Sequence, residues 1–481
     1  MRRRSAYFCH LLLIGILLSP GLNLRASAQP QSRPLQDQLA ELCRKHDVPG
    51  MTAAVVNAEG LVQADCFGVR KRGTSDKIEL TDRFPIGSNT KSMVATLAAV
   101  LVEGGRIDWN TTIGDVWPNA SDDHLHPKLR AVTLDQLLSH QSGLAGNISD
   151  ISNQEWASFF EERRTPVLER RHLLKLVLAK APSQAQGTFV YSNLGYAIAS
   201  AMMETRAGKS FESLMKAHVF SPLAMRSADF RTLAAAKQLQ PPLLWGHQAE
   251  TGEPADPRTA GVENPTVYAA AGTVHVSLED YAKYAQWQLA GKPSPVLRTQ
   301  DAFDHLHTPQ CDYTSPGAKY GAGWIMMDTP LGPALNHTGS NTNAFALIWL
   351  FPESDLGVIV CTNSGQPQAF TACDEMVGFL MKKYAPASDS RSDANAITPE
   401  RLVGRYQLTP SFVFDVRLQD GHLMVGITNQ PTQEVFADSP TKWSYRGVDA
   451  QLEFHIRAQG SSYALTLHQN GAAQVAKRVR D

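Results

Sequence analysis

The chain has 481 residues, 43% of them hydrophobic, with 45 Lys and Arg against 46 Asp and Glu for a formal net charge of −1. That apolar content excludes an intrinsically disordered chain, and the intermixed, near-balanced charge excludes nucleic acid or an acidic membrane surface as the main partner. The length calls for a large domain plus a further module.

At the N-terminus, Arg2, Arg3 and Arg4 form a charged region, Leu11 to Leu18 a short apolar run, and Ala26-Ser27-Ala28 a small-residue cleavage site. Residues 1–28 therefore read as a signal peptide, with a periplasmic or secreted mature protein expected. The apolar run is too short to span a membrane, and the mature chain contains no other transmembrane candidate. Loss of Cys9 with the leader leaves Cys43, Cys66, Cys311, Cys361 and Cys373. An odd count leaves at least one thiol free or bonded to another molecule. Cys66 and Cys361 sit in strand-like runs and read as small buried hydrophobes, while a Cys43–Cys373 bridge is one pairing open to the rest. No C-x-x-C or H-E-x-x-H spacing occurs, so a zinc site is not expected.

From Pro34 to His46 the pattern is an amphipathic helix. Strand-like runs follow at Met51 to Val56 and Leu61 to Val69, joined by the hairpin turn Asn57-Ala58-Glu59-Gly60. A helix after Ser88 and a mostly helical middle reach about Leu289. Strand character returns at Gly321 to Met327, Ala334 to His337, Ala344 to Phe351 and Leu356 to Thr362, and Ala369 to Tyr384 closes the domain as a helix. Strands at both ends with helices between predict an α+β fold: one antiparallel sheet flanked by helices, beside an all-helical subdomain, over residues 29–384. Functional groups from distant segments would meet at the junction of the layers. Residues 385–398, rich in Ser, Asp and Ala, read as a linker. Beyond it, alternating runs at Arg405 to Leu408, Phe412 to Leu418, His422 to Ile427, Leu452 to Ile456 and Tyr463 to His468 predict a small all-β barrel over 399–481.

Ser-x-x-Lys occurs three times, as Ser88/Lys91, Ser213/Lys216 and Ser439/Lys442. Residues three apart on a helix are neighbours, so a match within a helix sets an amine beside a hydroxyl. A serine needs such a base to become a nucleophile, and burial or nearby positive charge can lower a lysine's pKa enough to supply it. Ser213 lies in an ordinary amphipathic stretch and Ser439 precedes Pro440 in a loop. Ser88 alone stands before an apolar helix, Met93 to Leu101, whose N-terminus offers free N–H groups. It alone is followed by Tyr191-Ser192-Asn193 opening a helix, and by His337-Thr338-Gly339-Ser340 closing a strand.

These three motifs, in this order, resemble those of the serine β-lactamase and penicillin-binding-protein superfamily. The branch is that of class C β-lactamases, D-alanyl-D-alanine carboxypeptidases and related esterases. The similarity spans about Leu35 to Tyr384 and includes Leu137-Leu138-Ser139-His140-Gln141-Ser142-Gly143-Leu144 and Ala271 to Asp280. It implies an exported serine acyl hydrolase without metal or cofactor, acting on a peptide or other small-molecule substrate. The bonds cut would be amide or peptide bonds next to D-amino acids, or β-lactams. A carboxylesterase, or a penicillin-binding sensor that acylates without turnover, is the alternative. Ser88 would form an acyl-enzyme, with Lys91 and Tyr191 sharing base and acid work and the phenol's pKa lowered by the ammonium. Asn193 would bond Lys91 or a substrate amide, and the N–H groups of Ser88 and Ser340 would hold the oxyanion. His337 stands where many relatives carry lysine. It would donate to substrate or Tyr191 and titrate near neutral pH if unperturbed. His140 reads as a structural brace for a loop near the site. The C-terminal module resembles the lipocalin-like barrel of some members, which implies a cover for the cleft, a limit on substrate size or a surface for homo-oligomer formation.

Overall fold

The computed structural model describes residues 34–145, 151–384 and 398–479, apart from 316, 330, 420, 429, 446–449, 457–460 and 470–471. The leader expected at 1–28 and nearly all of the linker expected at 385–398 lie outside the described residues.

The first helix, α1 (Pro34–Lys45), leads into β1 (Gly50–Asn57) and β2 (Gly60–Gly68). A three-residue helical turn, Gly87–Asn89, runs into α2 (Thr90–Glu103). The middle of the chain includes α3 (Pro166–Val177), α4 (Asn193–Ala207) and α5 (Leu278–Ala290). Six strands follow: β3 (Cys311–Asp312), β4 (Lys319–Gly321), β5 (Trp324–Thr329), β6 (Gly332–Ser340), β7 (Phe345–Phe351) and β8 (Leu356–Thr362). Helix α6 (Pro367–Tyr384) completes the layer. All eight strands form one antiparallel sheet in the order β2-β1-β8-β7-β6-β5-β4-β3. The two N-terminal strands thus pair with the last one, Met51 opposite Thr362 and Val55 opposite Val358.

Period-two alternation explains why β1 and β8 read as unbroken apolar runs, since both faces are covered. Ala53, Val55, Val358 and Val360 face the layer of α1 and α6, whereas Ala54, Val56, Ile359 and Cys361 face the larger core under α2 and α5. Helix α2 is buried almost all round, from Thr90 through Leu101 apart from Val100, in keeping with its mostly apolar sequence after the first turn. The helical middle also carries short strands that its sequence pattern did not announce. Val274–Ser277 lies between Arg83–Pro85 and Asp229–Phe230 in a three-stranded sheet beneath the Ser88 turn. These pieces have two to four residues each, too few for a period to show.

The C-terminal module is a closed eight-stranded antiparallel barrel. Five of its strands match the alternating runs. The other three, Gln433–Ala437, Lys442–Tyr445 and Ala472–Arg478, escaped because they are short and polar or alanine-rich. Ring closure comes from Tyr406 and Gln407 opposite Arg478 and Lys477, around a core of Leu402, Tyr406, Phe414, Leu452 and Leu465.

All five cysteines among the described residues are free thiols. Cys43 and Cys373 are buried in the same layer between α1 and α6, and the Cys43–Cys373 bridge is not formed. Among the described residues, no helix is long and apolar enough to cross a membrane.

Candidate active site

Ser88 sits in the turn before α2, and two glycines let that turn lie against β6. Gly87 has φ +52°, a left-handed conformation that penalises a side chain, and a Cβ there would fall 2.3 Å from the Ser340 nitrogen. A Cβ on Gly339 would fall 1.9 Å from the Ile86 carbonyl oxygen and 2.8 Å from the Ser88 nitrogen. Backbone therefore faces backbone here, with the N–H groups of Ser88 and Ser340 at one junction. Ser340 itself is exposed and Thr338 half-buried at the same strand end.

Lys91, one turn further, is fully buried, and its amine has three oxygen neighbours. Nζ lies 2.9 Å from Ser88 Oγ, 2.9 Å from Asn193 Oδ1 and 2.6 Å from the Ala271 carbonyl oxygen. It also stands 4.7 Å from the centre of the Tyr191 ring. No carboxylate stands among these partners, and burial alone holds its pKa well below the usual lysine range. An ammonium could donate to all three oxygens, whereas the neutral amine that burial favours has only two N–H bonds to give. Amide Oδ1 and carbonyl oxygen can only accept, so they take the two N–H bonds of a neutral amine. The lone pair is then left facing the Ser88 hydroxyl, the one neighbour with a proton to give.

Tyr191 hydrogen-bonds the Ser88 side chain. The sequence led us to expect a phenol acidified by the neighbouring ammonium. Instead burial pushes the Tyr191 pKa up, outweighing the lowering by its Ser88 bond, and the phenol keeps its proton at neutral pH. The loop that carries it is held by His140, whose φ of +62° and complete burial mark a braced position. His140 Nδ1 accepts from the Ser192 N–H at 3.0 Å, and its carbonyl accepts from the Val190 N–H at 2.8 Å. The imidazole also packs on the Tyr191 ring at 4.3 Å between centroids. Next along the chain, the Ser192 hydroxyl caps α4, placing Asn193 in its first turn.

His337 departs from expectation. Burial above all pushes its pKa down to about 3, so the ring is neutral rather than poised near pH 7. Nδ1 donates to the Thr338 carbonyl at 2.7 Å, which leaves Nε2 as an acceptor 3.3 Å from the Tyr320 hydroxyl. Tyr320, not Tyr191, is thus its hydrogen-bond partner. Neither Tyr320 nor the Ala271 carbonyl was visible as a site group in the sequence, since a tyrosine in a strand and a backbone oxygen carry no local signal of what they face. The three Ser-x-x-Lys matches separate cleanly. Ser213 contributes its hydroxyl to the Ser210 cap of a short helix, and Ser439 accepts the Lys442 N–H in a barrel turn. Among the described residues, no group of three His, Cys, Asp or Glu side chains is placed to hold a metal ion.

Comparison with known proteins places this geometry in context. The Beta-lactamase family matches residues 34–378. Penicillin-binding protein 4 of Amycolatopsis lactamdurans is 26% identical over 77% of this chain and 96% of its own length. Unguisins hydrolase ungD of Aspergillus violaceofuscus is 28% identical over 53% of this chain and 44% of its own. Among solved structures, the octameric penicillin-binding protein homologue from Pyrococcus abyssi aligns over 92% of this chain and 99% of its own, at a TM-score of 0.59 and 21% identity. D-alanine carboxypeptidase AmpC from Burkholderia cenocepacia aligns over 72% of this chain and 98% of its own, at 0.57 and 19%. SurE with D-Leu aligns over 92% and 98%, at 0.55 and 20%.

Proposed function

The chain belongs to the beta-lactamase family of serine hydrolases, and from that premise we propose that it is an exported hydrolase of amide bonds next to D-amino acids in peptides. The observation that carries the reading is the buried Lys91 amine 2.9 Å from Ser88 Oγ with no carboxylate among its partners, an environment that favours the neutral, basic form. As Ser88 Oγ attacks a substrate carbonyl, Lys91 takes its proton, and the N–H groups of Ser88 and Ser340 receive the oxyanion. Each such donor lowers the barrier by about 3–4 kcal/mol. Tyr191 then gives its proton to the departing amine and recovers one from the Lys91 ammonium, so no net proton is lost. Water repeats the sequence to release the acid and restore Ser88.

Three features support the substrate class. The neutral His337 supplies no fixed cation for the carboxylate that a β-lactam carries, which favours an amide substrate without one. Relatives are named for penicillin binding and for hydrolysis of unguisins. Two solved relatives carry D-alanine and D-Leu in their descriptions. Export rests on the Arg2–Arg4, Leu11–Leu18 and Ala26–Ala28 pattern. Self-association, with the barrel as its surface, is part of the proposal because the Pyrococcus abyssi relative is octameric.

A panel of nitrocefin, p-nitrophenyl esters, D-Ala-D-Ala peptides and D-amino-acid amides tests this. The expected order of kcat/KM puts a D-residue peptide or amide first and nitrocefin well below it. Nitrocefin or an ester in first place overturns the substrate class, and a stoichiometric burst without turnover makes the protein an acylated sensor instead.

Tyr191→Phe follows from the same scheme. Loss of a general acid is expected to lower kcat on an amide by about 100-fold with little change in KM. The loss should be smaller on a p-nitrophenyl ester, whose leaving group needs no proton. Equal losses on both substrates would remove Tyr191 as the donor to the leaving group.

A further inference from the structure

The helical layer contains a second cavity, of about 590 Å³, that shares no residue with the Ser88 site. It lies between α3, the C-terminal half of α4 and the segment from Val116 to Leu125. Helix α4 touches both places: Asn193 is at its first turn and Thr205 lines the cavity. Twelve residues at 1.5 Å each separate them by about 18 Å. The volume falls within the range of about 300–1,000 Å³ usual for small-molecule sites.

The walls are apolar and buried, built by Val116, Leu125, Leu174, Leu178 and Ala201, with Trp117 half-buried beside them. The rim is different. Arg171 and Lys175 are exposed, and four residues apart on α3 they point the same way. Nearby acids already have partners. Glu204, which lines the cavity, is bound by the buried Arg170 and accepts the Phe211 N–H at 2.9 Å. Asp122 pairs with Arg130 at 3.3 Å, and Asp123 stands 3.8 Å from His124. Among the described residues, neither Arg171 nor Lys175 has an acidic partner. Two uncommitted cations thus stand over an apolar pocket.

We infer that this cavity binds a free fatty acid, its chain among the apolar walls and its carboxylate at Arg171 and Lys175. Apolar walls alone would take any hydrophobe, and the paired cations select an anionic head. The site is separate from the acyl-enzyme chemistry and does not depend on the substrate class proposed above.

Sodium dodecanoate, kept below its micelle concentration, is the probe, titrated into the full chain by calorimetry and by tryptophan fluorescence. Saturable binding of one equivalent is expected, unchanged in Ser88→Ala. The double variant Arg171→Glu/Lys175→Glu should weaken it by at least about tenfold, and 1-dodecanol should bind more weakly than the acid. Thr205→Trp, at an exposed wall position, should fill the pocket and remove saturable binding. Trp117→Phe should abolish the fluorescence change while the heat remains. Absence of saturable binding, equal affinity in the double variant, equal affinity for the alcohol, or loss of binding in Ser88→Ala overturns the inference. Melting curves of each variant establish that it is folded.

Discussion

Ser88→Ala is expected to lower kcat on the best substrate by about 10⁶-fold, the cost of removing a nucleophile whose base and acid act only through it. The fold should not notice. Ser88 is only half-buried, and its side chain anchors no structural element beyond the site. A Tm change of less than about 2 °C is expected. Intact-mass measurement during turnover of a slow substrate gives the decisive readout. Wild-type protein should gain the mass of the acyl group, and Ser88→Ala should gain none. Ser213→Ala and Ser439→Ala should acylate and turn over like wild type, because the Ser213 hydroxyl only accepts from the Ser210 cap of a short helix and the Ser439 hydroxyl accepts the Lys442 N–H in a barrel turn. Acylation that survives in Ser88→Ala would place the nucleophile elsewhere and remove the mechanism.

Lys91→Met is expected to lower kcat by about 10³-fold or more, within the range for a lost general base, while keeping similar side-chain volume. Its effect on stability has a sign that follows from linkage. Burial lowers the folded-state pKa of Lys91 well below the unfolded value. Above the unfolded pKa both states are neutral and the shift costs nothing. As pH falls through the window between the two values, the unfolded state binds a proton that the folded state does not. Wild-type stability therefore falls relative to Lys91→Met until pH passes below the folded pKa, where the difference levels off. Methionine also leaves Asn193 Oδ1 and the Ala271 carbonyl without their donor, a loss that does not vary with pH over this range. Urea unfolding of both proteins at several pH values checks this. A difference between them that stays flat with pH would mean that Lys91 is charged in the folded protein. The lone-pair account of Ser88 activation would then fall.

Much of the site was legible in the chain because it is local chemistry. Ser88 and Lys91 are one helical turn apart, Tyr191 and Asn193 straddle a helix start, and the His337 motif ends a strand. Each of these is a short-range geometric fact. The paired strands Met51 to Val56 and Leu356 to Thr362 were likewise marked by apolar runs, and the barrel by its alternation. Sequence also isolated His140 as a loop brace, although only the fold shows that it holds Ser192 and Tyr191.

Tertiary structure decided the quantities that depend on everything surrounding a group. Whether Lys91 is an ammonium or a base is set by complete burial without a carboxylate among the partners of its amine, and those partners come from positions 88, 193 and 271. The same burial reversed the expected direction for Tyr191 and took His337 out of the physiological range. Tyr320 became a site residue only when the sheet brought its hydroxyl to His337. Short-range patterns in the chain thus marked Ser88, Lys91, Tyr191, Asn193 and His337, whereas Tyr320 and the Ala271 carbonyl joined them only through the fold. The proton states of these side chains were decided by desolvation, which sums over the whole folded environment and has no trace in any short stretch of sequence.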